Sequence, residues 1–153
     1  MERKQFLKTL GASAAFALAF PCLHGCSSDS GDDGEAEGNT PIPTGIDFTL
    51  DLDAPENAKL ASNDGFVLKN LVVVAKNFEG EFVAASQVCS HEGFAQVRFA
   101  PQLEGGIFYC DVHSPGSRFD QKGNPLNQVD SKEPKALKIF KTELTDNMLR
   151  VFE

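Results

Sequence analysis

Two short pairs of cysteine and histidine are the residues of this chain best suited to chemistry. Cys89 and His91 form a C-x-H pair, and Cys110 and His113 form a C-x-x-H pair that follows after eighteen intervening residues. The four side chains therefore offer two thiolates and two imidazoles. That set suits an iron–sulfur centre in which two cysteines bind one iron and two histidines bind the other. It also suits a tetrahedral zinc site, so the rest of the chain must distinguish the two.

The composition indicates a single acidic globular domain with ancillary segments. The chain has 153 residues and a formal net charge of −8, with 13 Phe, one Tyr and no Trp. Phenylalanine must therefore supply most of the large core side chains. Because basic residues cluster only at the extreme N-terminus, we expect no nucleic-acid partner.

The N-terminus has the anatomy of an export signal. Arg3, Lys4 and Lys8 precede an apolar run from Leu10 to Phe20. Eleven residues are too few to cross a hydrocarbon core, which needs about 20 in a helix. Residues 1–25 are therefore predicted to be a signal peptide. The basic start also resembles a twin-arginine signal, a type that carries folded proteins across the membrane.

A lipid anchor and a tether are predicted to follow the signal. Leu23–Cys26 resembles a bacterial lipobox, which makes Cys26 the candidate anchor. Residues 26–41 are polar and acidic, with five acids and no bases between Cys26 and Asn39, so they read as a flexible tether. We expect an anchored protein, on the periplasmic side of a bacterial membrane or at the outer membrane.

From residue 42 to residue 153 the pattern changes to short apolar runs separated by turn residues, which predicts an all-β domain. Leu137, Ile139, Leu149 and Val151 recur at period two, and no helical period is evident after Gly45. The predicted strands are Phe48–Leu52, Phe66–Leu68, Leu71–Lys76, Phe82–Ser86, Gln96–Phe99, Ile107–Tyr109, Ala136–Thr142 and Met148–Phe152. Both Cys/His pairs then fall in loops, which a rigid sheet can hold tip to tip.

The two pairs resemble the signature of the Rieske iron–sulfur family. The run Gly116–Asp120 also resembles the Gly-Ser-x-Phe-Asp run of that family, and the likeness spans about Ile46 to Phe152. The resemblance implies an antiparallel β-sandwich with a small cluster-binding subdomain formed by two loops. It also implies one [2Fe-2S] cluster per chain and a role in electron transfer.

Ligand roles also follow from the resemblance. It implies that Cys89 and Cys110 hold the buried ferric iron, and that His91 and His113 hold the outer iron, which changes valence. The imidazole edges would form the docking surface for a redox partner, such as a cytochrome, a quinone oxidoreductase or an oxidase subunit.

Departures from the family pattern predict a low to moderate reduction potential. High-potential members brace the two loops with a disulfide, but Phe94 and Val112 stand at the corresponding positions. Phe119 replaces a tyrosine near the cluster, and Asp111 adds negative charge beside it. Ser117 completes the four side chains expected around the cluster, with Phe94, Asp111 and Phe119. Fewer donors to sulfur leave the oxidised state relatively more stable.

Four alternatives remain open at this point, and one of them is a surface binding lipoprotein in which the former cluster site is only structural. A Cys2His2 zinc site would be structural and colourless, although zinc fingers usually pair Cys with Cys and His with His. A Cys–His hydrolase would need only one of the two pairs. The protein could also be the ferredoxin or small subunit of a larger oxidoreductase or dioxygenase. We expect an electron carrier or such a subunit, with no catalytic residue of its own.

Overall fold

The structure is a computed structural model that describes residues 38–153. The predicted signal peptide (1–25), the candidate anchor Cys26 and the tether up to residue 37 lie outside the described residues. In the part of the chain that the structure describes, no helix is long and apolar enough to cross a membrane.

The described chain folds almost entirely as β-strands. A short 3₁₀ helix, Pro55–Ala61, follows the first strand. The strands are β1 (Asp47–Asp51), β2 (Phe66–Lys69), β3 (Val72–Lys76), β4 (Phe82–Ser86), β5 (Arg98–Ala100), β6 (Ile107–Cys110), β7 (Ser117–Phe119), β8 (Ile139–Thr145) and β9 (Met148–Phe152). They form a six-stranded sheet in the order β1-β9-β8-β4-β3-β2 and a three-stranded sheet in the order β5-β6-β7. Every strand pair is antiparallel, so the predicted all-β, antiparallel fold class is confirmed.

β3 connects the two hydrophobic cores of the domain. The run Val72–Ala75 is fully buried because both faces of the strand are covered. Val73 and Ala75 lie in the first core, which also contains Ala85, Cys89, Val97, Phe99, Phe108, Cys110, Phe119 and Leu137. Val72 and Val74 lie in the second core, with Leu50, Leu60, Ala84, Phe140, Leu149 and Val151. The two candidate thiols are thus part of the first core.

Three loops at one end of the strands surround the candidate site. Loop 1 (residues 87–97) runs from β4 to β5, and loop 2 (residues 111–116) joins β6 to β7. Loop 3 (residues 120–138) returns from β7 to β8. Loops 1 and 3 therefore cross between the two sheets, whereas loop 2 is the tip of a hairpin within the small sheet.

Candidate metal centre

Loop 1 is closed by backbone hydrogen bonds that fix Cys89. The Cys89 N–H donates to the Phe94 carbonyl (2.8 Å), and the Gly93 N–H donates to the Cys89 carbonyl (2.9 Å). Ser86, the last residue of β4, stabilises the start of loop 1. Its hydroxyl accepts a hydrogen bond from the Val88 N–H and donates one to the Val88 carbonyl. Gly93 has a positive φ of 74°, a conformation that favours glycine. These contacts form a tight turn that presents Cys89 and His91 from one edge.

The two residues that flank loop 2 are paired with each other in the small sheet. Cys110 is the last residue of β6 and lies opposite Ser117, the first residue of β7. The sequence analysis placed Cys110 in a loop, but the strand extends by one residue to include it. A Cβ atom on Gly116 would lie 2.4 Å from the Cys110 carbonyl oxygen. The hairpin therefore closes only because residue 116 has no side chain.

The two thiols lie together in the core. Cys89 and Cys110 are 2% and 3% exposed, and neither forms a disulfide. Hydrogen bonding from the Cys110 thiol is the largest influence on Cys89 and lowers its pKa to about 6. The same contact, assisted by burial, raises the pKa of Cys110 above its ordinary value. The pair thus holds one proton tightly, which a metal that binds both sulfurs would displace.

Further donors point at each sulfur. The backbone N–H of His91 and the hydroxyl of Ser117 both lower the pKa of Cys89 by hydrogen bonding. The backbone N–H of Val112 acts in the same way on Cys110. The two backbone donors come from the turn that follows each cysteine, and Ser117 comes from β7, where it lies opposite Cys110. Such donors favour a negatively charged sulfur, as metal ligation requires.

The two imidazoles, one from loop 1 and one from loop 2, meet edge to face. The ring centroids of His91 and His113 are 4.9 Å apart, with an angle of 86° between the ring planes. The His91 side chain is 10% exposed and that of His113 is 33% exposed. The ring centroid of Phe94 lies 6.0 Å from that of His113, with the two rings edge to face. Phe94, which stands where the resemblance would place a disulfide cysteine, thus contacts a candidate ligand of loop 2.

A carboxylate lies against the outer nitrogen of each imidazole. Asp130 Oδ2 is 2.9 Å from Nε2 of His91, and Glu92 Oε2 is 3.0 Å from Nε2 of His113. Lys132 forms an ion pair with Glu92, and this hydrogen bond is the largest of the influences that lower the pKa of that carboxyl. The sequence analysis missed Glu92, Asp130 and Lys132 as site residues.

The other residues that were predicted to surround the cluster differ in how deeply they are buried. Ser117 and Phe119 are buried, and Phe119 packs in the same core as the thiols. Asp111 is exposed, yet its charge contributes to the raised pKa of Cys110. Val112 is 36% exposed at the tip of loop 2.

The arrangement fits a two-iron cluster better than one metal ion. Because the carboxylates occupy Nε2 of both imidazoles, Nδ1 is the atom left to each histidine for a metal. A tetrahedral zinc ion needs four ligand atoms each about 2.0–2.3 Å from one point. Among residues 38–153, the ligating atoms that gather within 4.8 Å of one another are those of His91, Glu92 and His113, and neither cysteine belongs to that group. The two thiols contact each other and the two imidazoles contact each other, so each metal of a dinuclear centre can take one kind of ligand.

Comparison with known proteins agrees with this chemistry. A family model described as "Rieske [2Fe-2S] domain" matches residues 49–144, which include all three loops. No curated protein matches the chain.

Proposed function

The chain belongs to the Rieske [2Fe-2S] domain family, and we propose that it is an electron carrier with one cluster held by Cys89, Cys110, His91 and His113. The observation that carries this proposal is the meeting of two buried thiols and two edge-to-face imidazoles, one of each from loop 1 and one of each from the hairpin of β6 and loop 2. When bound, the cluster supplies a one-electron redox couple.

His113 is proposed as the point where electrons enter and leave. Its side chain is 33% exposed, whereas that of His91 is 10% exposed and is covered by loop 3 through Asp130. Val112, beside His113, adds an exposed apolar side chain at the loop tip. A redox partner that docks over the tip of loop 2 would approach the imidazole edge of His113 most closely.

A potential in the lower part of the Rieske range of about −150 to +300 mV is proposed. Carboxylates at Nε2 of both histidines favour the more positively charged, oxidised centre. The buried Phe119 offers no hydroxyl to the site, and Asp111 brings negative charge close enough to act on Cys110. A redox titration that gives a midpoint near the top of the range would contradict this proposal.

Anchoring through Cys26 on the periplasmic side of a bacterial membrane is proposed from the lipobox-like run Leu23–Cys26 alone. The full-length protein should partition with membranes in a bacterial host, and the variant Cys26→Ala should move to the soluble fraction of the periplasm. Equal partition of the two would end the proposal of a lipid anchor.

Spectroscopy of the reconstituted protein tests the cluster directly. The wild-type chain should be brown and should give, once reduced with dithionite, a paramagnetic signal at the average g expected for imidazole-bound clusters. Cys89→Ser and His113→Ala should lose both signals, because each removes a proposed ligand. The control Ser90→Ala should keep them, since the Ser90 hydroxyl donates to the Lys135 carbonyl instead of the site. A colourless wild-type protein that binds zinc would refute the proposed function.

A further inference from the structure

We propose that Glu92 is a positioning residue that fastens the three loops around the cluster without a covalent brace. The inference rests on the proposed function, because the site that Glu92 would hold together is that of the cluster. Glu92 directly follows His91 in loop 1, and it contacts loop 2, loop 3 and the segment at the start of the described chain.

The two carboxylate oxygens of Glu92 bind different loops. Oε2 lies 3.0 Å from Nε2 of His113 in loop 2. Oε1 forms the ion pair with Lys132 in loop 3. Nζ of Lys132 in turn lies 4.0 Å from Oδ2 of Asp130, the same oxygen that lies 2.9 Å from Nε2 of His91. Two carboxylates and one ammonium thus connect both histidines of the site through loop 3.

The main chain at Glu92 adds a third connection, to the segment at the start of the described chain. The Asn39 N–H donates to the Glu92 carbonyl (3.0 Å), and the Thr40 N–H donates to the Gly93 carbonyl (2.9 Å). A Cβ on Gly93 would lie 2.8 Å from the Asn39 nitrogen, so the close approach needs glycine there. Asn39 and Thr40, which the sequence analysis assigned to the tether, therefore lie against the loop that carries Cys89 and His91.

These contacts should act on the site more than on global stability. The Glu92 side chain is 29% exposed and that of Lys132 is 55% exposed, and exposed ion pairs contribute little to the free energy of unfolding. Groups that orient a metal-ligating histidine have larger effects on the metal, since their loss typically weakens binding 10- to 100-fold. The consequence to look for is faster loss of the cluster and a changed electronic environment of His113.

The test compares Glu92→Ala, Glu92→Gln and the control Glu133→Ala in the full-length, reconstituted protein. Glu133 is an exposed glutamate next to Lys132, with no ion pair in the part of the chain that the structure describes. We expect roughly 10- to 100-fold faster bleaching of the visible spectrum by an iron chelator for Glu92→Ala, together with a shifted paramagnetic signal. The bleaching rate of Glu92→Gln should lie between those of the wild type and Glu92→Ala. Its amide oxygen still accepts a hydrogen bond from His113, but the neutral amide cannot form an ion pair with Lys132. Glu133→Ala should match the wild type.

Lys132→Met keeps the inference testable if Glu92→Ala fails to fold. It removes the link to loop 3 and leaves the contact with His113, so bleaching should be faster than in Glu133→Ala but slower than in Glu92→Ala. A double variant should bleach no faster than Glu92→Ala, since both residues act in one network. The inference would be overturned if the wild type carries the cluster but Glu92→Ala and Lys132→Met have the same bleaching rate and the same paramagnetic signal as Glu133→Ala. A wild type without any cluster would instead refute the proposed function.

Discussion

At the scale of single residues, the two sulfurs differ in what surrounds them. Cys89 receives hydrogen bonds from the His91 backbone and the Ser117 hydroxyl, whereas Cys110 receives one from the Val112 backbone and feels the charge of Asp111. A reduced centre carries one more negative charge than an oxidised centre. Each donor to sulfur therefore favours reduction, and the potential becomes a measure of these contacts.

Removal of the Ser117 hydroxyl should lower the reduction potential. Ser117→Ala deletes a buried donor to Cys89 without a change in charge. We expect the midpoint to fall by about 60 mV, which equals a tenfold change in the equilibrium of a one-electron couple. A spectroelectrochemical titration measures it. Ser90→Ala is the matched control, because its hydroxyl donates to the Lys135 carbonyl, and its midpoint should stay within error of the wild type.

The candidate ligands were accessible to sequence reasoning because their types and local spacing identify them. Glu92, Asp130 and Lys132 were not, because glutamate after a C-x-H pair and charges in a long loop are ordinary surface residues. The contacts made by loop 3 join positions about forty residues apart, 39 for His91 with Asp130 and 40 for Lys132 with Glu92. Only the path of loop 3 brings those positions together.

At the scale of elements, alternation and apolar runs predicted most strands and failed where a strand is too short to alternate. The predicted Phe82–Ser86 and Met148–Phe152 coincide with β4 and β9. The three residues of β7, Ser117–Phe119, include one large apolar side chain and carry no pattern of their own, so β7 was missed. It exists because β6 offers it a partner, with Phe108 opposite Phe119. The 3₁₀ helix Pro55–Ala61 was missed for the same reason, since seven residues do not establish a helical period.

Gly116→Ala should disrupt the hairpin that presents Cys110. The added methyl group would lie 2.4 Å from the Cys110 carbonyl oxygen and 2.6 Å from the ring of Tyr109, so the backbone of β6 must move. We expect a loss of about 1–3 kcal/mol in the free energy of unfolding, as for other overpacked sites. Iron content per chain should fall as well. Denaturant titration and iron analysis measure the two effects.

Gly105→Ala is the control for that substitution. Unlike Gly116, Gly105 has a positive φ, of 80°, and a Cβ there would meet no atom within 4 Å. Its cost should be limited to backbone strain of about 1 kcal/mol, with full iron content. Equal iron loss in the two variants would show that the close packing of Gly116 against Cys110 is not what positions loop 2.

At the scale of the whole molecule, we expect charge to influence how a redox partner reaches the surface of loop 2. The chain carries a net charge of −8, and two lysines near the C-terminus are paired within the domain, Lys132 with Glu92 and Lys138 with Glu153. Asp111 is exposed in loop 2, two residues before His113. We expect the exposed carboxylate of Asp111 to favour a positively charged redox partner at this surface.

Electron transfer to a cationic haem protein should accordingly slow as salt is added. Screening lengths shorten from about 30 Å at 0.01 M to about 8 Å at 0.15 M ionic strength, so the second-order rate constant should fall roughly tenfold or more over that range. Stopped-flow mixing of the reduced protein with the partner measures it.

Asp111→Asn should slow the reaction at low salt and flatten the salt dependence. Glu79→Gln removes the same charge from the exposed turn before β4, at the opposite end of that strand from loop 1, and should behave as the wild type. Rates that are independent of salt, or equal effects of the two variants, would mean that the loop 2 surface does not guide the partner.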